Sequence, residues 1–224
     1  MEYKYEVLEL KVGKLELSLY QVTNIDEAFD ELISRSESDP DKADERIPYW
    51  TELWPSAIAM SQCLVENPEL VTNKNVLEIG CGLGLPSLVS AKLGASRVIA
   101  SDYLPDSLDF VQKNAQLNGL HQQILQARQV DWRMLDEDPN FKNYDLILAA
   151  DILYEQRYVD AFHLLLQSLR SGQRLVIAEP GREVAASFIT ALISGSDFTT
   201  SIEKVKVDFR GTEFEVTVVV VFCG

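Results

Sequence analysis

The sequence predicts a doubly wound α/β fold, with one β-hairpin before the parallel sheet and another at its end. Short apolar segments alternate with helical segments between residues 55 and 193, which is typical of a parallel sheet covered by helices on both faces. A turn after the first of these strands carries three glycines. With 224 residues, 46% of them hydrophobic, the chain is long enough for one such domain.

The N-terminal region, residues 1–45, is predicted to form an extension that precedes the main domain. Residues 2–22 alternate between apolar and polar side chains, which indicates a β-hairpin. A helix over residues 24–36 follows, and the charged, turn-rich residues 37–42 predict a mobile loop. We expect the main domain to occupy residues 46–224.

The main domain is predicted to begin with a helix over residues 55–65, because proline is favoured in the first helical turn. Five strands then follow, at residues 75–79, 97–101, 124–130, 144–150 and 174–178. We place helices at residues 86–93, 158–170 and 183–193, and another after the second strand that has Leu108, Val111 and Ala115 on one face and ends at Asn118-Gly119. Two β-rich runs, residues 201–209 and 213–222, flank Gly211 and predict a terminal antiparallel hairpin.

Composition narrows the class of protein. The 35 acidic and 20 basic residues give a formal charge of −15, which argues against nonspecific nucleic-acid binding and fits a solvated surface or a basic partner. Three widely spaced cysteines predict neither a disulfide framework nor a metal site. The N-terminus lacks signal-peptide features and no apolar run is long enough to cross a bilayer. We therefore expect a cytoplasmic protein without membrane contacts; the oligomeric state is left open.

The glycine turn, residues 78–84, is the first candidate site. Gly80, Gly82 and Gly84 lack a Cβ, so their backbone can adopt positive φ and approach a ligand closely. In the dinucleotide-binding fingerprint the third glycine would fall on Leu85, so the spacing here differs from it. The cluster alone leaves open a tight turn that binds nothing.

Polar side chains follow the next two strands at the same edge of the predicted sheet. Asp102 ends the second strand, where a carboxylate can accept hydrogen bonds from both hydroxyls of a ribose. By itself Asp102 fits NAD as well as S-adenosylmethionine, or a turn cap. Asp131 and Trp132 follow the third strand, and the indole is either a ligand-facing wall or part of the core.

Three segments together resemble one enzyme family. They are Pro48-Tyr49-Trp50-Thr51-Glu52-Leu53-Trp54-Pro55-Ser56, the glycine turn, and Ala150-Asp151-Ile152-Leu153-Tyr154. In this order they resemble the protein-lysine methyltransferases of class I, whose relatives include enzymes like nicotinamide N-methyltransferase. The similarity covers residues 46–180. It implies a seven-strand, Rossmann-like methyltransferase sheet and S-adenosylmethionine as the cofactor.

The resemblance also implies a role for particular residues. Residues implied to hold the cofactor are Trp54 as a cover, Glu78 at the strand end, Gly80, Cys81, Gly82 and Gly84 around the methionine part, Asp102 at the ribose, Asp131 and Trp132 at the adenine, and the Ala150 backbone as the floor. Asp151 and Tyr154 would face the methyl-accepting group. A carboxylate raises the pKa of a nearby amine, so we interpret Asp151 as a group that positions the acceptor rather than as a base.

The resemblance to protein-lysine methyltransferases implies the acceptor, and one departure from other methyltransferases argues against amide and nucleobase targets. Methyltransferases that act on DNA or glutamine have a motif of the form Asn/Asp-Pro-Pro-Tyr after the fourth strand, whereas residues 151–154 lack both prolines. We expect a lysine side chain of a protein as the acceptor. The alternatives are a small, nicotinamide-like amine, for which residues 37–46 would supply a lid, and a noncatalytic domain that binds S-adenosylmethionine.

Overall fold

The computed structural model describes residues 2–44, 46–137 and 140–224. Within these residues the strands are β1 (Tyr5–Val12), β2 (Leu15–Val22), β3 (Asn75–Ile79), β4 (Arg97–Asp102), β5 (Leu125–Gln129), β6 (Leu146–Ala150), β7 (Arg174–Glu179), β8 (Thr199–Phe209) and β9 (Thr212–Phe222). The α-helices are α1 (Ile25–Ser34), α2 (Pro40–Ala43), α3 (Pro55–Glu66), α4 (Leu85–Lys92), α5 (Pro105–Leu117), α6 (Gln156–Ser168) and α7 (Glu183–Ser194).

A seven-stranded sheet with the order β5-β4-β3-β6-β7-β9-β8 forms the centre of the fold. The five strands from β3 to β7 run parallel, and the final hairpin adds β9 antiparallel to β7. This arrangement confirms the predicted doubly wound fold and its terminal hairpin. The strand order reverses between β3 and β6, and ligands of such sheets bind beyond the carboxyl ends of the strands at that point.

Hydrophobic side chains fill both faces of the sheet. Successive strand residues point to opposite faces, so Val76 joins one buried cluster and Leu77 the other. The first cluster includes Leu88 of α4, and the second includes Phe162 of α6, both with no exposed surface. Burial on both faces explains why the central strands β6 and β7 consist mostly of apolar residues. Among the described residues no helix is long and apolar enough to cross a membrane.

The N-terminal hairpin forms a separate two-stranded sheet that packs on α5. Leu17 and Leu19 are at most 1% exposed and belong to the same buried cluster as the first face of the main sheet. The amide oxygen of Asn114 accepts the backbone N–H of Tyr20 at 2.7 Å. The boundary predicted after residue 45 falls at Glu45, outside the described residues, and stays a prediction.

The segment predicted as a loop over residues 37–42 contains a short helix, α2, so the prediction of irregular structure is wrong there. The Lys42 ammonium donates to the carbonyl oxygens of Ile33 at 2.7 Å and Arg35 at 3.0 Å. These bonds satisfy acceptors at the end of α1, where the helix itself leaves carbonyls unpaired. Contacts with the previous helix, which local composition does not reveal, thus order the segment.

Candidate active site

The turn between β3 and α4 borders a cavity. Gly80, Gly82 and Gly84 have φ values of 61°, 52° and 81°, a region that residues with a Cβ rarely adopt. A Cβ on Gly80 would lie 2.8 Å from the Cγ2 of Ile152. The absence of a side chain therefore lets the turn pass close to the loop after β6.

This cavity, the inner cavity, lies beyond the carboxyl ends of the parallel strands, at the point where the strand order reverses. Its empty volume, which includes the open solvent at its mouth, is about 660 Å³. Its walls include most of the predicted site residues: Trp54, Gly80, Gly82, Asp102, Asp131, Trp132, Ala150, Asp151 and Tyr154. They also include Ile47, Tyr49, Trp50, Tyr103, Leu104, Arg133, Ile152 and Tyr158.

Asp102 presents a buried carboxylate to the inner cavity. Its oxygens accept the backbone N–H groups of Gly82 at 3.2 Å and Leu104 at 3.0 Å. Burial raises the pKa of this carboxyl, and the backbone hydrogen bonds oppose that rise. Each carboxylate oxygen can accept more than one hydrogen bond, so Asp102 retains capacity for the two hydroxyls of a diol.

Trp132 provides an apolar wall and is also part of the core. The residue is 6% exposed, and its ring packs against Tyr158 and Phe162 with centroid distances of 5.9 Å and 6.2 Å. The two interpretations of this indole are therefore compatible. One part of the ring is held by the core while the residue still lines the inner cavity.

Asp131 is held by an arginine that the sequence analysis did not select. Arg133 Nε lies 2.8 Å from Asp131 Oδ1, and Arg133 Nη2 lies 2.6 Å from Oδ2. Burial acts to raise the pKa of the Asp131 carboxyl. The hydrogen bonds and the charge of Arg133 together outweigh that effect, so the pKa is lowered. Asp131 therefore lines the cavity as a carboxylate whose orientation is set by Arg133.

Arg133 also fastens residues 40–44 beside the inner cavity. Its two terminal nitrogens donate to the Asp44 carboxylate at 3.1 Å and 2.9 Å, in the bidentate geometry that arginine makes with carboxylates. Arg157 donates to the same carboxylate at 3.1 Å. The hydrogen bond from Arg133 is the main cause that lowers the pKa of Asp44 to about 2. We call this cluster the Asp44 latch.

Three predicted cofactor residues, Glu78, Cys81 and Gly84, are absent from the described walls of the inner cavity. Glu78 is 1% exposed and its carboxyl accepts the backbone N–H of Ser87 at 2.9 Å, as well as the Ser87 hydroxyl. Burial raises the pKa of Glu78 to about 8 and that of Cys81 well above its usual value. Glu78 thus anchors the start of α4 beneath the turn, because its side chain points to the helix rather than to the cavity.

Asp151 follows β6 with a φ of 57°, in the left-handed region that aspartate tolerates better than most residues. Its backbone N–H donates to the carbonyl of Ala178 at 3.0 Å, which holds this conformation. The Asp151 side chain is 5% exposed, and Arg182 Nε donates to its Oδ1 at 2.7 Å. The Arg182 guanidinium carbon also lies 5.9 Å from the centre of the Trp54 ring.

Tyr154 belongs to an aromatic wall next to Asp151. Its ring lies 5.4 Å from that of Tyr49 and 4.7 Å from that of Tyr158. Burial is the main cause that raises the pKa of the Tyr154 hydroxyl above the ordinary value of 10.0, at which a phenol is already protonated at neutral pH. The indole N–H of Trp54 donates to the carbonyl of Tyr49 at 2.9 Å, which fixes Trp54 against the same wall.

A second cavity, the outer cavity, adjoins the inner one at Trp54 and Asp151, which line both. Its empty volume, including open solvent, is about 1,010 Å³. Two of its walls come from elements that the sequence analysis did not connect with the site, the loop after β7 and the turn of the final hairpin. They supply Pro180, Gly181, Arg182, Phe209, Arg210, Thr212 and Phe214.

Arg133 and Arg182 are the functional candidates that the sequence analysis missed. Each follows the carboxyl end of a predicted strand, which is the signal that selected Asp102 and Asp151. Arg182 lies 31 residues after Asp151, so their contact depends on the adjacency of β6 and β7. That adjacency follows from the order of strands in the sheet, and neither the sequence around Asp151 nor the sequence around Arg182 reveals it.

A comparison with family models finds a match over residues 45–194 to the model described as lysine methyltransferase. Among curated proteins, the electron transfer flavoprotein beta subunit lysine methyltransferase of Rattus norvegicus is 34% identical over 143 residues, covering 60% of this chain and 51% of that protein. Its Homo sapiens counterpart is 32% identical over 143 residues, covering 60% and 50%. A protein N-terminal and lysine N-methyltransferase of Cryptococcus neoformans is 32% identical over 123 residues, covering 51% and 41%. The chain spans about half the length of the curated relatives it matches first.

Solved structures share the fold at low sequence identity. A magnesium protoporphyrin IX methyltransferase from Synechocystis, with bound S-adenosylmethionine, superposes with a TM-score of 0.57 at 17% identity, over 88% of this chain and 91% of that one. An O-methyltransferase from Bacillus cereus, in complex with S-adenosylhomocysteine, gives a TM-score of 0.57 at 14% identity, over 89% and 97%. The seven-stranded sheet is therefore that of class I methyltransferases.

Proposed function

This chain belongs to the lysine methyltransferase family, and from that premise we propose that it is an S-adenosylmethionine-dependent N-methyltransferase that acts on a lysine side chain of a protein. The observation that carries the proposal is the junction of the two cavities. Asp151 and Trp54 lie where the inner cavity, lined by Gly80 and Asp102, meets the outer cavity, which opens to the surface.

The residues of the inner cavity fit S-adenosylmethionine. Gly80 has no side chain, and Ile152 occupies the space that a Cβ there would need. The turn therefore offers bare backbone to the methionine part of the cofactor. Asp102 offers a carboxylate for the ribose hydroxyls, and Trp132 offers an apolar surface for the adenine. When bound, the cofactor supplies a methyl group attached to a positively charged sulfur. The amine nitrogen would bond to the methyl carbon, and the electron pair of the broken C–S bond would stay on sulfur.

The outer cavity supports a protein acceptor over a small amine. A lysine side chain needs an open rim and a channel to the methyl group, whereas a small amine needs a cover over the acceptor. Within residues 37–46, the segment that would supply such a cover, Asp44 is tied to Arg133 on the wall of the inner cavity. The rim of the outer cavity is instead the exposed turn at Arg210.

The side chains at the junction can position an amine and exclude water. Asp151 accepts an N–H of the incoming amine, and the rings of Tyr154, Tyr49 and Trp54 form an apolar wall around it. Proximity and orientation account for much of the rate in such transfers, because the methyl donor is already activated. The protonated Tyr154 hydroxyl is a second polar contact for the acceptor.

Methylation assays test this proposal directly. Labelled S-adenosylmethionine would be incubated with the purified chain and either the electron transfer flavoprotein beta subunit, the protein named for the relatives, or a heat-treated cell extract. We expect label in protein, on lysine, and at least a hundredfold less of it with Asp151→Ala. Label confined to the small-molecule fraction would favour the small-amine alternative and overturn the lysine acceptor.

Calorimetry separates the enzyme from a noncatalytic binding domain. We expect wild-type protein and Asp151→Ala to bind S-adenosylmethionine with similar affinity, because Asp102 and the glycine turn hold the cofactor. Binding by both proteins without any methyl transfer by wild type would support the noncatalytic domain. Failure of wild type to bind S-adenosylmethionine at tens of micromolar would contradict both functions.

A further inference from the structure

The carboxylate of Asp151 is already paired with a cation that belongs to the chain. Arg182 Nε donates to Oδ1 at 2.7 Å, whereas the Ser56 hydroxyl lies 3.4 Å from Oδ2, near the limit for a hydrogen bond. The Asp151 side chain is 5% exposed and that of Arg182 is 33% exposed. One oxygen is therefore held firmly, while Oδ2 keeps most of its capacity to accept.

This pair bears on a difficulty that an isolated carboxylate would create. A lysine amine has a reference pKa of about 10.4 and must be neutral to attack a methyl group. A bare carboxylate beside it would stabilise the ammonium form and raise that pKa further. A guanidinium on the other carboxylate oxygen cancels much of the negative charge without removing the hydrogen-bond acceptor.

We propose that Arg182 is a positioning residue that holds Asp151 as a charge-compensated acceptor, so that the substrate lysine is bound as a neutral amine. This inference rests on the proposed function. The lysine ammonium releases its proton to solvent water, and the neutral nitrogen then donates an N–H to Asp151 Oδ2. Because the ion pair has no net charge, it orients the amine while favouring its protonated form much less than a bare carboxylate does.

Arg182 is preorganised for this role. Besides its bond to Asp151, its guanidinium lies over the Trp54 ring at 5.9 Å, an attractive arrangement for a cation and an indole. Trp54 is itself fixed by the hydrogen bond from its indole N–H to Tyr49. Arg182 is thus held at the point where the two cavities meet.

Other charged groups near the pair do not replace Arg182. The Glu179 carboxylate accepts the backbone N–H of Arg182 at 2.8 Å, and its pKa is raised by burial first and then, among smaller causes, by the charge of Asp151. Glu52 and Arg210 line the outer cavity but pair with each other at 3.4 Å. The hydroxyl of Tyr154, on the wall of the inner cavity, carries no charge at neutral pH, and burial raises its pKa further.

The first test is the pH dependence of kcat/KM for methylation of heat-treated extract proteins. Arg182→Gln keeps a polar side chain but removes the charge, and Arg182→Lys retains the charge. The Arg182 cation is one-third exposed and would lie about 6 Å from the bound amine. We therefore expect Arg182→Gln to move the rising limb of the pH profile to higher pH by about one unit. At pH values below that limb, kcat/KM should fall about tenfold. Arg182→Lys should stay near the wild-type profile, as should Arg170→Gln, a matched charge removal at an exposed site after α6.

The second test needs neither cofactor nor turnover. Calorimetry would measure the binding of n-butylammonium chloride, a mimic of the lysine side chain, at pH 7. We expect Arg182→Gln to bind this cation about tenfold more tightly than wild type, because Asp151 is then uncompensated. A purely structural Arg182 would make the same variant bind more weakly.

A double variant guards against misfolding of Arg182→Gln. Asp151→Asn with Arg182→Gln removes both charges, so its pH profile should return to the wild-type position even if its maximal rate is lower. The proposal is overturned if Arg182→Gln lowers kcat/KM equally at every pH and does not bind n-butylammonium more tightly. If wild type labels no protein at any pH, the proposed function itself fails, which is a different result.

Discussion

The conformation of the glycine turn predicts that Gly80→Ala impairs both stability and cofactor binding. Gly80 has a φ of 61°, and an added Cβ would lie 2.8 Å from the Cγ2 of Ile152, which is itself 5% exposed. Gly119 provides a matched control, because its φ is 69° but a Cβ there would meet nothing within 4 Å. The two variants share the backbone strain and differ in the clash.

The magnitudes follow from these two terms. An L-residue in the left-handed region costs roughly 1–2 kcal/mol, which the smaller entropy of the unfolded chain offsets in part, so we expect Gly119→Ala to lose about 1 kcal/mol. The clash with Ile152 adds the cost of overpacking, about 1–3 kcal/mol, for a total of roughly 2–4 kcal/mol in Gly80→Ala. For a chain of 224 residues this corresponds to losses in Tm of about 3 °C and 8 °C.

Thermal denaturation and calorimetry with S-adenosylmethionine measure the two effects. Gly80→Ala should bind the cofactor at least tenfold more weakly, because the turn must move away from Ile152, while Gly119→Ala should bind it like wild type. Equal losses of Tm in the two variants would refute the argument from the clash. Unchanged cofactor affinity in Gly80→Ala would refute the placement of the turn against the cofactor.

Three further perturbations concern the latch, the buried acid and the outer cavity. Asp44→Asn should weaken S-adenosylmethionine binding about fivefold by calorimetry and speed limited proteolysis within residues 35–46, because Asp44 carries the bonds to Arg133. Glu37→Gln loses only an exposed ion pair with Lys42, which contributes little, and should do neither. Burial raises the pKa of Glu78 to about 8 from an ordinary 4.5, so above pH 4.5 the folded state retains a proton that the unfolded state loses. The contribution of Glu78 to the free energy of unfolding is therefore fully present below pH 4.5 and is lost as the pH rises through 8. Denaturant titrations should therefore show wild type losing stability between pH 6 and pH 8 and Glu78→Gln losing much less; parallel curves would contradict this. Phe214→Ala, in the wall of the outer cavity, should raise KM for the protein acceptor about tenfold and leave the Kd for S-adenosylmethionine unchanged; a change confined to the Kd would contradict the assignment of that cavity.

Local patterns were sufficient to predict most of the fold. Strands β3, β4 and β7 lie within one residue of their predicted ends, because burial on both faces makes their central residues largely apolar. Pro55 begins α3 as predicted, since proline has no N–H to lose in the first turn. The short helix α2 was missed, because it depends on Lys42 bonds to the end of α1 rather than on its own composition.

The candidate site was predictable where function depends on position along a strand. Gly80 follows β3, Asp102 ends β4 and Asp151 follows β6, and the sheet brings all three to one cavity. The pairings that orient Asp131 and Asp151 were not predictable, because Arg133 and Arg182 are recognisable only once the contacts between loops are known. Glu78 was assigned to the cofactor by resemblance, yet it points to Ser87 beneath the turn.

Some predictions remain for experiment. The individual roles of the site residues, the domain boundary after residue 45 and a cytoplasmic location stay predictions. A formal charge of −15 would make association with a basic acceptor protein faster at low ionic strength, whereas a merely solvating charge would not affect it. Rates of methylation measured at 50 mM and 500 mM salt should therefore fall as salt rises.

The most direct measurement is mass spectrometry of the acceptor after incubation with S-adenosylmethionine. Wild-type protein should add methyl groups to a lysine side chain of the electron transfer flavoprotein beta subunit or of a protein in heat-treated extract, and Asp151→Ala should not. Transfer only to small amines, or transfer to protein that survives in Asp151→Ala at the wild-type rate, would contradict the account.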